Sequence, residues 1–173
     1  GDIGKLFLES VKYNGEVSNI DPNKKMINQG KIKFNKVKNM KWKVGCAEKL
    51  GYKKNFFDYY TISFGLRNTK NICQSIKEAY RVLKPGGRFL CLEFSKIQNS
   101  NLELFYKNYS KLIPIIGNIV VGEKEPYEYL IESIDKFINQ EELIDYMKKN
   151  GFKNCKYRNL SNGIVAIHSG WKI

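Results

Sequence analysis

Residues 57–95, FDYYTISFGLRNTKNICQSIKEAYRVLKPGGRFLCLEFS, leave a folding chain few choices. Asp58 opens a β-rich run of Tyr59, Tyr60, Thr61, Ile62 and Phe64. After a polar loop, Ile72, Cys73, Ile76, Ala79, Tyr80 and Leu83 recur at helical spacing, one apolar face of about four turns. Lys84-Pro85-Gly86-Gly87 cannot continue a helix and predicts a sharp turn. Residues 89–94 are apolar apart from Glu93, as suits a parallel strand covered on both faces. A strand–helix–strand crossover of this kind commits the chain to an α/β sheet. The Pro-Gly-Gly segment is a poor phosphate loop, because it lacks the G-x-x-x-x-G-K-[ST] spacing and stands at the negative end of the helix dipole.

The flanking patterns extend the sheet. Ile3, Leu6 and Phe7 predict a short helix over 3–10, and Asn14-Gly15 a turn. A short strand over 16–20 ends at Asp21, and Pro22 opens a helix with Asp21 near its N-cap. Met40, Trp42 and Val44 alternate with Lys41 and Lys43, the period of a strand. Helical spacing returns from Asn101 until Pro114 breaks it, 117–126 is irregular, and 127–138 is again helical. Asn139 with Glu142 forms a capping-box signature for a last helix that Gly151 stops. Residues 152–160 and 163–172 read as an antiparallel hairpin about Ser161-Asn162-Gly163. The expectation is one domain over residues 1–173, with a mostly parallel sheet and an antiparallel C-terminal edge.

Composition narrows the partners. The net charge of +13 invites a nucleic-acid reading, but only Arg67, Arg81, Arg88 and Arg158 carry the forked guanidinium that reads base edges. The lysines are spread through every element, which argues for a general Lys/Asn bias and against nucleic acid. A positive face still suits an anionic membrane surface or an acidic partner. Cys46, Cys73, Cys91 and Cys155 are far apart in apolar-patterned segments, so buried free thiols in a reducing compartment are expected. With a single histidine, His168, no metal site is expected.

Ligands of open α/β sheets sit outside the carboxyl ends of the strands. Three polar features fall there: Asp21, Cys46-Ala47, and Ser63 through Asn68. Asp21 can accept both hydroxyls of a ribose, or can be an ordinary N-cap. Gly65 lets the chain turn after the strand. Asn68 can face the cleft or cap the next helix, and Arg67 can serve the site or an ion pair.

RVLKPGGRFLCLEFS at 81–95 and TISFGLRN at 61–68 resemble the signatures of the ubiquinone/menaquinone C-methyltransferase family of UbiE type. GFKNCKYRNLSNGIVAIHSGWKI at the C-terminus, YEYLIESIDKF at 127–137, VSNIDPNKKM around Asp21 and VGCAEKL at 44–50 are similar to further parts of the same family. The resemblance spans essentially the whole chain. It implies a class I, Rossmann-like methyltransferase sheet using S-adenosylmethionine. Gly1 and Asp2 would be the remnant of the family's glycine-rich loop, so an N-terminal truncation that removes the first, central strand is expected. By the same implication Asp21 holds the cofactor ribose, Cys46 and Ala47 border the adenine, and Ser63 approaches the cofactor. The family usually carries Asp or Asn at position 46, so Cys46 lacks the adenine-amino acceptor.

The implied reaction is methylation of a ring carbon of a polyprenylated quinol, giving a ubiquinone or menaquinone precursor. Carbon is a weak nucleophile, so a ring hydroxyl must give up its proton. Arg67 with Asn68 is expected to stabilise the phenolate, since a guanidinium is a poor base. Tyr127 is a further substrate-site candidate. The apolar stretch KLIPIIGNIVV at 111–121 either lines a groove for the polyprenyl tail or is a core helix with a Pro break. Implied partners are ubiquinone-biosynthesis complex subunits, a peripheral membrane contact and a second copy of the chain, with a mitochondrial matrix location beside the inner membrane. A different class also stands: a catalytically inactive, methyltransferase-like scaffold or RNA-binding subunit.

Overall fold

A computed structural model describes residues 1–97 and 125–173, so the apolar stretch at 111–121 lies outside the described residues. The chain divides into two compact units, Gly1–Tyr52 and Lys53–Ile173.

The first unit is a parallel strand pair with two helices: α1 (Asp2–Ser10), β1 (Val17–Asp21), α2 (Lys24–Lys33) and β2 (Met40–Val44). The pair runs in register from Val17 opposite Met40 to Asp21 opposite Val44. Leu8, Phe34 and Met40 form its buried centre, with Val17, Val37 and Trp42 against them. Trp42 stacks on Phe34 at 6.1 Å, and α2 reaches this ring through Gly30, where an added Cβ would lie 2.2 Å from the indole. That close approach is why a helix tolerates glycine here.

The helix start differs from the expectation. Asn23, not Asp21, is the N-cap of α2, accepting hydrogen bonds from the backbone N–H of Lys25 and Met26. Asp21 instead accepts from the Asn23 N–H at 2.7 Å. Both residues have capping side chains, and the N–H groups of the first turn face Asn23 because Pro22 carries the chain one step further before it coils.

The second unit carries a four-stranded sheet in the order β3-β4-β6-β5. Its strands are β3 (Phe57–Ser63), β4 (Leu83–Phe94), β5 (Lys153–Leu160) and β6 (Val165–Trp171). β3 and β4 pair in parallel, while β6 runs antiparallel to both β4 and β5. Three strands therefore share one direction and β6 alone opposes them, as the C-terminal hairpin requires. Among the described residues its α-helices are α3 (Ile72–Val82), α4 (Glu125–Lys136) and α5 (Gln140–Lys149). The capping box of α5 is present in both halves, Asn139 to the Glu142 N–H and Glu142 to the Asn139 N–H. Leu66, Ile76, Ala79, Phe89, Leu143, Met147 and Phe152 belong to one buried cluster between sheet and helices. Phe89 stacks on Tyr60 at 5.6 Å and meets Phe152 at 5.2 Å.

Three local expectations are corrected. The buried face of α3 is Ser75, Ile76, Glu78, Ala79 and Val82, so Cys73 is exposed. The polar pair is accommodated because Ser75 donates to the Asn71 carbonyl and Glu78 accepts two bonds from Arg81. Of the four free cysteines only Cys91 is buried; Cys155 is half-buried, and Cys46 and Cys73 are exposed. Lys84-Pro85-Gly86-Gly87 is not a turn ahead of the strand but a bulge within it: Leu83 already pairs with Phe57, and pairing resumes at Arg88 with Tyr59. Gly86 sits at φ +80°, and a Cβ on Gly87 would lie 2.8 Å from the Lys84 carbonyl, so the bulge needs both glycines.

Candidate active site

In the first unit, β1 and β2 deliver their carboxyl ends together. The Gly45 N–H donates to the Asp21 carbonyl at 3.2 Å, so Cys46 and Ala47 begin beside Asp21. The Asp21 carboxylate is half-buried, and its Oδ1 is fixed by the Asn23 N–H. Its Oδ2 remains to accept from a ligand, and a preset carboxylate at this strand end suits a vicinal diol. Cys46 is exposed, and its carbonyl accepts from the Lys49 N–H at 3.2 Å. A thiol is a weak acceptor, so an amino group beside it would find no strong partner. Gly1 is the N-cap of α1, and Asp2 opens the helix. Lys33 donates to the Asp2 carboxylate at 2.6 Å and holds its pKa below the usual value. The Asp2 carboxylate is thus already engaged.

In the second unit, Ser63 is the last residue of β3 and is half-buried opposite Leu92. The chain then turns at Phe64, not at Gly65. Phe64 takes φ +53°, whereas Gly65 sits at φ −123°. A bulky side chain in the left-handed region is strained and persists only where its neighbours over-determine it. They do so here: the Phe64 N–H donates to the Leu92 carbonyl at 2.8 Å, and the ring packs 5.0 Å from Phe94. A single 3-10 turn, Leu66–Asn68, follows, with Leu66 buried as its anchor.

Arg67 ties this loop together. Its side chain is 8% exposed, and its Nη1 donates to Glu93 Oε1 at 2.7 Å and to the Phe64 carbonyl at 2.8 Å. Its Nε donates to Ser133 Oγ on α4 at 3.2 Å, and the guanidinium lies 5.1 Å from the Phe94 ring centroid. Glu93, 1% exposed, also accepts from the backbone N–H of Arg67 and of Phe94. One buried carboxylate therefore binds the end of β4 to the loop after β3, and Arg67 extends the tie to α4.

Asn68 is exposed and is not the N-cap of α3. That role falls to Asn71, which accepts from the Gln74 N–H at 2.9 Å. The Asn68 amide oxygen instead accepts from the Tyr129 hydroxyl at 3.1 Å. Tyr127, the tyrosine singled out from the sequence, is half-buried on the same helix. The structure therefore brings Ser63, Arg67 and Asn68 to one strand end of the second unit, and Asp21, Cys46 and Ala47 to one strand end of the first. Sequence reasoning missed Tyr129, Glu93 and Ser133. Glu93 had a signal, as a lone acid in an apolar strand; Tyr129 had only its spacing from Tyr127.

Two relatives named ubiquinone/menaquinone biosynthesis C-methyltransferase UbiE match the whole chain. The Rickettsia akari protein is 52% identical over 180 residues and the Rickettsia bellii protein 50% over 182, and in each case 73% of the relative is covered. Among solved structures, a S-adenosylmethionine-dependent methyltransferase from Methanosarcina mazei aligns with TM-score 0.66 at 22% identity, covering 98% of this chain and 88% of that one. A S-adenosylmethionine-dependent methyltransferase of Thermotoga maritima, described as a possible histamine N-methyltransferase, aligns with TM-score 0.62 at 20% identity, covering 90% and 72%. These structural likenesses establish the α/β fold. The model of the ubiE/COQ5 methyltransferase family matches residues 1–172, and the chain belongs to that family.

Proposed function

We propose that this protein transfers the methyl group of S-adenosylmethionine to a ring carbon of a polyprenylated quinol in ubiquinone or menaquinone biosynthesis. The observation that carries the reading is the full-chain identity of about half to proteins bearing that name. The cofactor supplies an electrophilic methyl on a sulfonium. The ring carbon that accepts this methyl would give up its own proton to solvent.

The chain's own residues bind and orient. Asp21 would take the ribose hydroxyls, Cys46 and Ala47 would border the adenine, Gly1 and Asp2 at the start of α1 would belong to the cofactor site, and Ser63 would face the cofactor from its strand end. Asn68 meets a ring oxygen, with Arg67 behind it. Because Glu93 already balances the Arg67 charge, the contribution of Arg67 is chiefly to hold the loop, and electrostatic support of a phenolate is secondary. Tyr127 borders the ring from α4. The polyprenyl tail calls for peripheral membrane contact, to which a net charge of +13 adds attraction for anionic lipid. Association with other subunits of a quinone-biosynthesis complex, homodimerisation and a mitochondrial matrix location complete the proposal.

The test is methyl transfer from radiolabelled S-adenosylmethionine to a short-tailed demethyl quinol, with cofactor binding followed by calorimetry. Cofactor binding and a labelled quinone product are expected. Absence of both, with salt-sensitive RNA affinity in their place, would overturn the proposal.

A further inference from the structure

We infer that Tyr129 is a substrate-orienting residue, its hydroxyl and the Asn68 amide acting as one unit that grips a ring oxygen of the acceptor. The inference rests on the reading of this site as a quinol methyltransferase, and deepens it by assigning a residue of α4 to the substrate.

Four observations lead here. First, Tyr129 and Asn68 are both exposed, yet they are hydrogen-bonded to each other at 3.1 Å across 61 residues of chain. Exposed polar side chains gain little stability from such a bond, because water competes for both groups. Second, the bond has a direction. A hydroxyl donating to the amide oxygen leaves the two Asn68 amide hydrogens with no partner among the described residues, and leaves the Tyr129 oxygen lone pairs able to accept. The pair thus offers a donor and an acceptor side by side. A phenolic hydroxyl of a quinol, first a donor and then an anion, can use both.

Third, the pair is held from behind. Arg67, one residue from Asn68, donates to Ser133, which lies one helical turn beyond Tyr129 on α4, and Ser133 in turn donates to the Leu130 carbonyl. Glu93 anchors Arg67 from the sheet. The loop and the helix therefore cannot slide past each other without breaking the part-buried Arg67–Ser133 hydrogen bond. Fourth, Asn68 follows a loop strained at Phe64, at the carboxyl end of β3, where ligands of such sheets bind. A surface tie needs neither the strain nor the buried anchor.

The experiment compares wild type with Tyr129→Phe and Ser133→Ala in the full-length protein. Readouts are steady-state kinetics with a short-tailed demethyl quinol, calorimetric binding of S-adenosylmethionine, and thermal melting. Tyr129→Phe removes one exposed oxygen, so the melting temperature and cofactor affinity should stay at wild-type values. The KM for quinol should rise about tenfold, the effect of one hydrogen bond near the top of its usual range, with a smaller loss in kcat. Ser133→Ala should shift KM the same way but less, since it loosens the helix without removing the hydroxyl. Quinol kinetics of Tyr129→Phe within twofold of wild type overturn the assignment while leaving the methyltransferase reading intact. Wild-type protein that binds the cofactor but methylates no quinol overturns both.

Discussion

Arg67 and Glu93 form a buried ion pair, Nη1 to Oε1 at 2.7 Å, that closes the carboxyl ends of two adjacent parallel strands. They are 26 positions apart in sequence, and an entire helix lies between them. The pair is bonded beyond itself, since Glu93 accepts two backbone N–H groups and Arg67 also reaches Phe64 and Ser133. Such saturation is what lets two charges be buried together without a large net penalty.

Breaking the pair should therefore be expensive on either side. Glu93→Ala leaves the guanidinium uncompensated and should destabilise the protein by about 3 kcal/mol. Arg67→Ala should cost a similar amount and should also lower methyl transfer, while the cofactor affinity stays near normal. Chemical denaturation of both variants and of the double variant checks this. A double variant close to either single one shows the coupling; additive losses contradict it.

The helix between the two partners depends on a lysine near the other end of the chain. Lys172 Nζ donates to the carbonyls of Tyr80 and Leu83 at 2.8 and 2.7 Å and to Asn55 Oδ1 at 2.8 Å. Two of its three hydrogens go to the C-terminal end of α3, where the dipole favours a cation, and the third to Asn55. Lys172→Met keeps the stem and removes the donors. It should lower stability by about 2 kcal/mol, whereas Lys156→Met on the exposed side of β5 should change little. Urea midpoints of the two variants make the comparison.

How much of this could be read beforehand depends on sequence distance. The α5 capping box, Asn139 with Glu142, was legible because both halves lie within one turn. The crossover from β3 to β4 and the hairpin at 161–163 were legible because periodicity and turn chemistry are local properties. The N-cap of α2 was misassigned by two residues, since Asp21 and Asn23 are chemically equivalent caps and only the path through Pro22 separates them. An ion pair was one role open to Arg67, but the Arg67–Glu93 pairing itself and the Tyr129–Asn68 contact were not legible. Both join elements far apart in sequence, and neither leaves a periodic trace. Strand-end logic put Asp21, Ser63 and Asn68 at or just beyond strand ends, where the structure has them, but which tyrosine of YEYL faces Asn68 is set by the rotation of α4 against the loop.

The one histidine predicts a pH dependence of stability. His168 is 2% exposed, its Nε2 lies 3.2 Å from the Gln140 carbonyl, and its buried Nδ1 has no hydrogen-bond partner among the described residues. The carbonyl requires Nε2 to carry the proton, which leaves Nδ1 bare beside the Tyr157 ring at 5.6 Å. Burial lowers the pKa to about 4 from 6.5, against the opposing pull of the Gln140 carbonyl and the Glu141 charge. The unfolded chain therefore binds a proton between pH 6.5 and 4 that the folded chain refuses. The stabilising preference for neutral histidine is complete above pH 6.5 and fades as the pH falls through this window. Between pH 7 and pH 5 its share of the loss should be about 2 kcal/mol. Guanidinium titrations at both pH values, on wild type and on His168→Phe, isolate it; an unchanged slope in the variant rules His168 out.

The departure at position 46 yields the sharpest test of the cofactor arrangement. Cys46 is exposed and follows β2 directly, while the neighbouring Asp21 carboxylate is preset by Asn23. If the adenine lies where the resemblance puts it, its amino group meets a sulfur that accepts hydrogen bonds poorly. Cys46→Asp supplies a carboxylate at the same distance from the backbone. A hydrogen bond to a charged acceptor is worth about 1.5 kcal/mol or more, so S-adenosylmethionine should bind about tenfold more tightly. The gain should disappear for a cofactor analogue lacking the adenine amino group, which separates a direct contact from a general effect of charge. Cys73→Asp serves as the control, because that exposed thiol lies on α3. Calorimetric titration of the three proteins decides the matter: equal affinity for wild type and Cys46→Asp removes residue 46 from the adenine, and equal gains in both variants assign the effect to charge alone.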